Sequence, residues 1–404
     1  MDYTKIYEKL IRDEGGKIVM LVLDGVGGIV DETEHGTELQ AANTPNLDKL
    51  AADSSCGLLE IVGPGITPGS GPGHLSIFGY DPLNYDVGRG VLSALGVNFD
   101  LKRGDVPARV NFATVDKDGV ITDRRAGRID DETNHRVSKK IRDNVKLDYD
   151  VEMFFETEKE HRALFVLRGE NLSGDIEDTD PQMAGHKPNK VTPRSKKAEH
   201  TAKIVQDFID QVADILSDEE KANMILMRGF DYYEPFPTMY DRYKLRAVCI
   251  AEYPMYRGVS KLLGMKLLPQ PEIIADRFKV LEDVYGDEYD YYFIHVKKTD
   301  SYGEDGNFKS KKEIIEEIDK HIPRVLALNP DVFIVTGDHS TPAVMKSHSW
   351  HPVPMLLHSK YAIKDDATEF HELACSRGIL GTRPGPHLIG LALAHAGRMD
   401  KFGA

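Results

Sequence analysis

Residues 17–28 read KIVMLVLDGVGG: six apolar side chains, several of them β-branched, run from Ile18 to Leu23 and stop at Asp24 and a cluster of glycines. A short apolar run without polar alternation predicts a strand covered on both faces, as in a parallel sheet. Such a strand delivers Asp24 to its carboxyl end, the edge at which open α/β sheets bind ligands. Two more segments repeat the pattern. YYFIHVKK, residues 291–298, is followed by Thr299 and Asp300, and VFIVTGD, residues 332–338, ends in Asp338. All three candidate strands thus lead to an aspartate. Helical spacing lies between them, at 46–52 after the cap-like NTP and at 311–328, where Ile314, Ile315, Ile318, Ile322, Val325 and Leu326 share a face. The alternation predicts an α/β fold with a mostly parallel sheet and helices on both faces.

The middle of the chain has another character. ARVNFATV and ALFVLRG read as short strands, DKDG as a hairpin turn, and residues 195–216 as one long helix. An α+β domain inserted at 106–245 and splitting a catalytic domain of residues 1–105 and 246–404 is the simplest account. A length of 404 residues suits two packed units better than one core.

The composition, 41% hydrophobic and 29% charged, is that of an ordinary globular protein. A formal charge of −15 argues against nucleic acid or a membrane surface as partner, since both demand a cationic field. Cys56, Cys249 and Cys375 lack the spacing of a zinc ribbon or redox motif. The charged opening MDYTKIYEKLIRDEGG does not resemble a secretion signal, and no run approaches the ~20 apolar residues of a membrane span. A cytoplasmic location is the expectation.

The chemistry centres on GPGITPGSGPGHLSIFGYDP, residues 63–82, in which Gly69 and Gly71 flank Ser70 and His74 follows. Taken alone, a glycine-rich Pro-Gly-Ser-Gly is an ordinary turn; with Asp24, Asp300, the Asp338–His339 pair and His348 in the same chain it reads as an exposed nucleophile. Carboxylates and imidazoles together suit manganese or zinc, and two such ions can clamp the attacking and leaving oxygens of an in-line phosphoryl transfer. Asp48 and Asp331 read instead as cap or turn residues. Arginines gather at ITDRRAGRID with Arg124, Arg125 and Arg128, at His161–Arg162, and at AEYPMYRGVSK with Arg257 and Lys261. Guanidiniums bind phosphate and carboxylate bidentately, which suits a small substrate bearing both. Asp123, bordering the cluster, is the candidate proton shuttle, and His74 is read as a structural residue.

These residues resemble the cofactor-independent phosphoglycerate mutases of the archaeal type, in the alkaline phosphatase superfamily. The resemblance runs along nearly the whole chain, through LVLDGVGG, NTPNLDKLA, PGITPGSG, GRGVLSALGV, DRRAGRI, YPMYRGVSKLLGM, HVKKTD, TGDHSTP, HPVP and GRMDKFGA. It implies two divalent ions, manganese foremost with zinc, cobalt or magnesium as alternatives. Asp24, Ser70, Asp338 and His339 would surround one ion, and Asp300 and His348 would belong to the other. It implies transfer of phosphate between the 2- and 3-hydroxyls of glycerate through a phosphoserine on Ser70, the insert holding the small phosphorylated hydroxy acid, with no bisphosphoglycerate cofactor. One position departs from the pattern. Glu304 stands where the wider family has a histidine, and a carboxylate there would favour a harder ion such as manganese or magnesium. A phosphatase or a homoserine-kinase-like phosphotransferase of the same superfamily is the alternative.

Overall fold

The strand Ile18–Leu23 is buried along its whole length and lies between Tyr291–Val296 and Val332–Thr336, parallel to both, in the computed structural model, which describes residues 3–85 and 87–403. It is central to an eight-stranded sheet in the order Gly381–Pro384, Ser55–Glu60, Val353–Ser359, Val332–Thr336, Ile18–Leu23, Tyr291–Val296, Ala247–Ile250, Lys266–Leu267. Only Val353–Ser359 runs against the others. The unbroken apolar run at the centre follows from burial on both faces. Registers of Leu23 with Val296 and Val22 with Thr336 bring three strand ends level. Asp24, Asp300 and Asp338 therefore reach one edge.

Three local readings differ from the structure. Asp300 does not end a strand: Tyr291–Val296 stops earlier, and Asp300 lies in the first turn of the helix Lys298–Glu304. The hydroxyl of Thr299 donates to the carbonyl of Asp24 at 2.5 Å, which ties that turn to the neighbouring strand. Ser70 does not sit on a loop but opens the helix Ser70–Ile77, with Gly69 as its extended N-cap. Pro72 is tolerated because a first-turn N–H has no intrahelical acceptor to lose. Gly73 serves close packing, since a Cβ there would lie 2.5 Å from the carbonyl oxygen of Asp338. The helical pattern at 311–328 is two helices, Phe308–Asp319 and Ile322–Ala327, parted just before Pro323, whose missing N–H cannot extend a helix. Asp48 and Asp331 accept the backbone N–H of Phe370 and Lys17.

The chain divides into two compact units, Met1–Asp86 with Phe236–Ala404, which carries the large sheet, and Val87–Pro235. The second unit thus takes in the helix Arg89–Gly96, which the 106–245 reading assigned elsewhere. Its sheet is antiparallel: Val106–Val115 pairs with Arg162–Gly169, with Met224–Arg228 and with Ile121–Asp123, and Val151–Lys159 extends it beyond Arg162–Gly169. Ala163, Phe165 and Leu167 join a core with Val137 and Ile141 of the helix Asp131–Asn144 and Val205, Phe208 and Val212 of the helix Glu199–Ile215. Leu164 and Val166 pack with Ala94 in a separate cluster. Strand alternation thus explains why ALFVL is apolar throughout. No helix among the described residues is long and apolar enough to cross a membrane.

Candidate active site

Asp24, Asp338 and His339 are fully buried and offer ligand atoms within 4.8 Å of one another. His339 Nε2 lies 3.3 Å from Asp24 Oδ1 and 3.3 Å from Asp338 Oδ2. The Ser70 hydroxyl is 3.5 Å from the same nitrogen. Both oxygens of Asp24 and Oδ2 of Asp338 are buried without a hydrogen-bond partner. Nitrogens of His339, His295, Lys297 and His74 approach these oxygens at 3.2–3.4 Å without a hydrogen bond being formed, and a cation among the carboxylates would complete their pairing. This donor set fits a divalent metal.

A second group joins Asp300, His339 and His348. His348 Nδ1–H donates to the carbonyl of Pro68 at 2.9 Å, which turns Nε2 toward Asp300 Oδ1, 3.4 Å away. Burial works against charging His348, but the Asp300 carboxylate outweighs it and raises the imidazole pKa to about 9. Glu304 Oε1 is 3.7 Å from His348 Nε2, with the Glu304 side chain 53% exposed. It stands beside the group and is not one of its three members.

Several further residues complete the surroundings, and of these the sequence reading singled out only His74, as a structural residue. The Lys297 ammonium contacts Asp300 and lies 3.4 Å from Asp24 Oδ2. Burial opposes its charge, yet the flanking aspartates raise its pKa above the ordinary lysine value. His295 Nε2 is 3.3 Å from the same Asp24 Oδ2. His74, fully buried, donates from Nδ1 to the carbonyl of Ser70 at 2.8 Å and lies 3.2 Å from Asp338 Oδ2, so it touches the backbone of the serine and not its hydroxyl. Its ring stacks on Tyr256 at 4.3 Å. Behind the site the buried Lys311 ammonium donates to the carbonyls of Thr341 and Gly27 at 2.9 and 3.3 Å, drawing together the two loops that carry the acids. Glu38 lies 3.6 Å from that ammonium and accepts from the N–H of Ala343.

In the unit Val87–Pro235, a cavity of about 170 Å³ is lined by Arg89, Arg109, Asn111, Arg124, Arg125, His161, Arg162 and Arg228. Six guanidiniums in so small a space make a site for a small polyanion. Arg124 is held bidentately by Asp180 at 2.9 and 2.6 Å, and Arg228 lies 3.4 Å from Asp178. His161 is buried, and that burial, reinforced by Arg162, lowers its pKa to about 4. Asp123 accepts the N–H groups of Arg125 and Gly127 at 2.7 and 2.8 Å, which shapes the turn carrying Arg124 and Arg125. Arg128, at φ 51°, belongs to the same turn and does not line the cavity. Arg257 and Lys261 belong to the other unit, on the helix Pro254–Leu262, where Arg257 donates to the carbonyls of Ala251 and Leu268. Arg109 and Asn111 could have been found as polar side chains two apart in the apolar ARVNF. Arg89 and Arg228 are single basic residues in GRG and MILMR and carry no local signal.

Fold and site together define an α/β phosphotransferase with a serine beside two groups of carboxylates and imidazoles suited to hold cations. Residues 51–222 match the family model described as 2,3-bisphosphoglycerate-independent phosphoglycerate mutase. A relative from Thermus thermophilus, named "Probable 2,3-bisphosphoglycerate-independent phosphoglycerate mutase", is 48% identical over 407 residues, with all of both chains covered. One of the same name from a Thermotoga strain is 48% identical over 403 residues, again with both chains fully covered. Among solved structures, the PH0037 protein of Pyrococcus horikoshii is similar with a TM-score of 0.78 at 28% identity, over 96% of this chain and all of that one. The cofactor-independent phosphoglycerate mutase of Thermoplasma acidophilum gives 0.73 at 28% identity, over 94% of this chain and all of its own. The chain belongs to the 2,3-bisphosphoglycerate-independent phosphoglycerate mutase family.

Proposed function

We propose that this chain interconverts 3-phosphoglycerate and 2-phosphoglycerate through a phosphoserine on Ser70, without a bisphosphoglycerate cofactor. The observation that carries the reading is the Ser70 hydroxyl at a helix start, 3.5 Å from His339 Nε2 and beside buried aspartate oxygens that have no hydrogen-bond partner. Family membership supports the substrate and the isomerase activity. Manganese ions bound by Asp24, Ser70, Asp338 and His339, and by Asp300, Glu304 and His348, would lower the pKa of the serine hydroxyl and neutralise charge on the phosphoryl oxygens.

The remaining work falls to the protein. Arginines of the cavity, with His161, hold the substrate's carboxylate and phosphate, and Arg257 and Lys261 are further candidates. Ser70 Oγ attacks phosphorus in line as the bond to the glycerate oxygen breaks, and that oxygen gains a proton. The neighbouring hydroxyl then gives up its proton and attacks the phosphorus of the phosphoserine as the bond to Ser70 Oγ breaks, which returns the serine oxygen. Asp123, next to the arginines, is the candidate to carry the proton between the two hydroxyls. The scheme requires glycerate to be retained between the two transfers.

The test is to mix the purified protein, manganese and 3-phosphoglycerate without added bisphosphoglycerate. Formation of 2-phosphoglycerate with no loss of organic phosphate is expected. Free phosphate without 2-phosphoglycerate would make the protein a phosphatase and overturn the reading.

A further inference from the structure

Tyr80, Tyr243, Tyr256, Tyr291 and Tyr292 are all fully buried. Four of their hydroxyls donate inside the protein: those of Tyr80, Tyr243 and Tyr292 to the carbonyls of Pro237, Gly79 and Gly286, and that of Tyr291 to the sulfur of Met20. The Tyr256 hydroxyl has no hydrogen-bond partner. A buried donor left unpaired is destabilising, so its retention at this position calls for an explanation.

Tyr256 lies in the first turn of the helix Pro254–Leu262. Its ring is held on several sides: the rings of His74, His295 and Tyr253 are centred 4.3, 4.2 and 5.2 Å away, and the Lys297 ammonium lies 5.7 Å from the ring centre. Three of these neighbours also grip the site. His74 donates to the carbonyl of Ser70 at 2.8 Å, and His295 and Lys297 lie 3.3 and 3.4 Å from Asp24 Oδ2. The phenol is thus fixed by the groups around the nucleophile, and its hydroxyl borders the side chains of Asp24 and Ser70 and feels the charge of Asp338.

A phenol keeps its proton near neutral pH, so Tyr256 can donate a hydrogen bond but cannot serve as a base. Asp24 already faces His295 and Lys297 with Oδ2 and His339 with Oδ1. A phosphoryl group on Ser70 has the greater need. It brings three strong acceptor oxygens and a charge of about −1.5 to −2 next to the carboxylates of Asp24 and Asp338, which offer no donor. A neutral donor fixed beside it in a dry site counts for more than one in water.

We propose that Tyr256 is a catalytic residue whose hydroxyl donates a hydrogen bond to a non-bridging oxygen of the phosphoryl group carried by Ser70. It forms and breaks no covalent bond and keeps its proton through both transfers. The unpaired hydroxyl of the resting protein is then a donor held ready for charge that develops during the reaction. The inference rests on the reading of Ser70 as the nucleophile.

Tyr256→Phe removes the hydroxyl and leaves the ring among His74, His295 and Lys297. The denaturant midpoint of the metal-free variant is expected to equal or exceed that of the wild-type protein, because no resting hydrogen bond is lost. Manganese titration is expected to give wild-type stoichiometry and affinity. Rapid-quench mass spectrometry with manganese and 3-phosphoglycerate is expected to show phosphoserine forming about 10- to 100-fold more slowly, the loss of one donor to a charged acceptor, with KM unchanged. A lower midpoint would show that the hydroxyl is bonded in the resting protein, and weaker manganese uptake would show that it serves Asp24; either result overturns the inference. Phosphoserine formation at the wild-type rate overturns it as well. Absence of phosphoserine in the wild-type protein would instead overturn the reading of Ser70 as nucleophile and the inference with it, an outcome distinct from equal rates in the two proteins.

Discussion

Ser70 Oγ lies 3.5 Å from His339 Nε2, across 269 residues of sequence, and that nitrogen also faces Asp24 and Asp338 at 3.3 Å each. The imidazole is shared with two carboxylates and is not aimed at the hydroxyl alone, so it is poorly placed to act as a dedicated base. Replacing Ser70 with Ala should abolish the acid-stable phosphoenzyme and lower kcat by on the order of 10⁴-fold or more. Mass spectrometry of protein quenched during turnover checks the first, and a coupled assay the second. Appreciable residual activity in this variant would rule out the phosphoserine route.

Gly73 packs where a Cβ would lie 2.5 Å from the Asp338 carbonyl oxygen. Gly73→Ala should therefore displace the loop bearing Asp338 and His339, at a cost of about 1–3 kcal/mol. Denaturant unfolding of the metal-free protein measures the stability change. Manganese titration of the same variant should show weakened uptake.

Arg228 lies in the cavity of the second unit, whereas both carboxylate–imidazole groups belong to the first. Arg228→Met should raise KM for 3-phosphoglycerate by about 10- to 100-fold, the effect of losing a charged hydrogen bond. Manganese affinity should stay at its wild-type value. Steady-state kinetics and metal titration together check this split, and an unchanged KM would remove Arg228 from the substrate site.

His161 has its pKa lowered from 6.5 to about 4, by burial first and then by Arg162. The folded protein therefore resists a proton that the unfolded chain accepts near pH 6.5. The associated stability is fully present above pH 6.5 and is lost as pH falls toward 4. Replacing His161 with Phe should flatten the fall in denaturant midpoint across that window. An anion in the cavity offsets the arginine charge, so 3-phosphoglycerate should move the His161 titration upward in an NMR experiment.

Glu304 stands 3.7 Å from His348 Nε2, at a half-exposed position. Glu304→His should shift preference at the Asp300–His348 group from manganese toward zinc, since an imidazole replaces a hard oxygen donor. Competition titrations with the two ions measure the shift. Equal manganese-to-zinc selectivity in both proteins would show that Glu304 stands outside the coordination shell.

The amount legible in the sequence differed from element to element. KIVMLVLDGVGG and VFIVTGD announced buried strands because runs of six and four consecutive apolar residues, ending in glycine and aspartate, leave few alternatives, and both begin or end as read. HVKKTD was placed at the correct edge but given the wrong local form. A helix of seven residues beginning at Lys298 is too short to show a period. The glycine-rich stretch around Ser70 concealed a helix, because glycine and proline signal turns unless tertiary contacts require close approach.

By its own local chemistry the sequence determined the alternation of strands and helices, the acids near the strand ends and the nucleophile among glycines, and its motif order pointed to the family. Only the tertiary structure decided which nitrogen of His339 faces Asp24, that Thr341 lies between His339 and Asp300, that Lys297 and His295 flank the carboxylates, and that Arg89, Arg109 and Arg228 share a cavity with Arg124 and His161. The physical reason is one of range. Strand and helix periods are set by neighbours a few residues apart, whereas hydrogen bonds and charge contacts at a buried site depend on ångström-scale distances between segments that are remote in the chain.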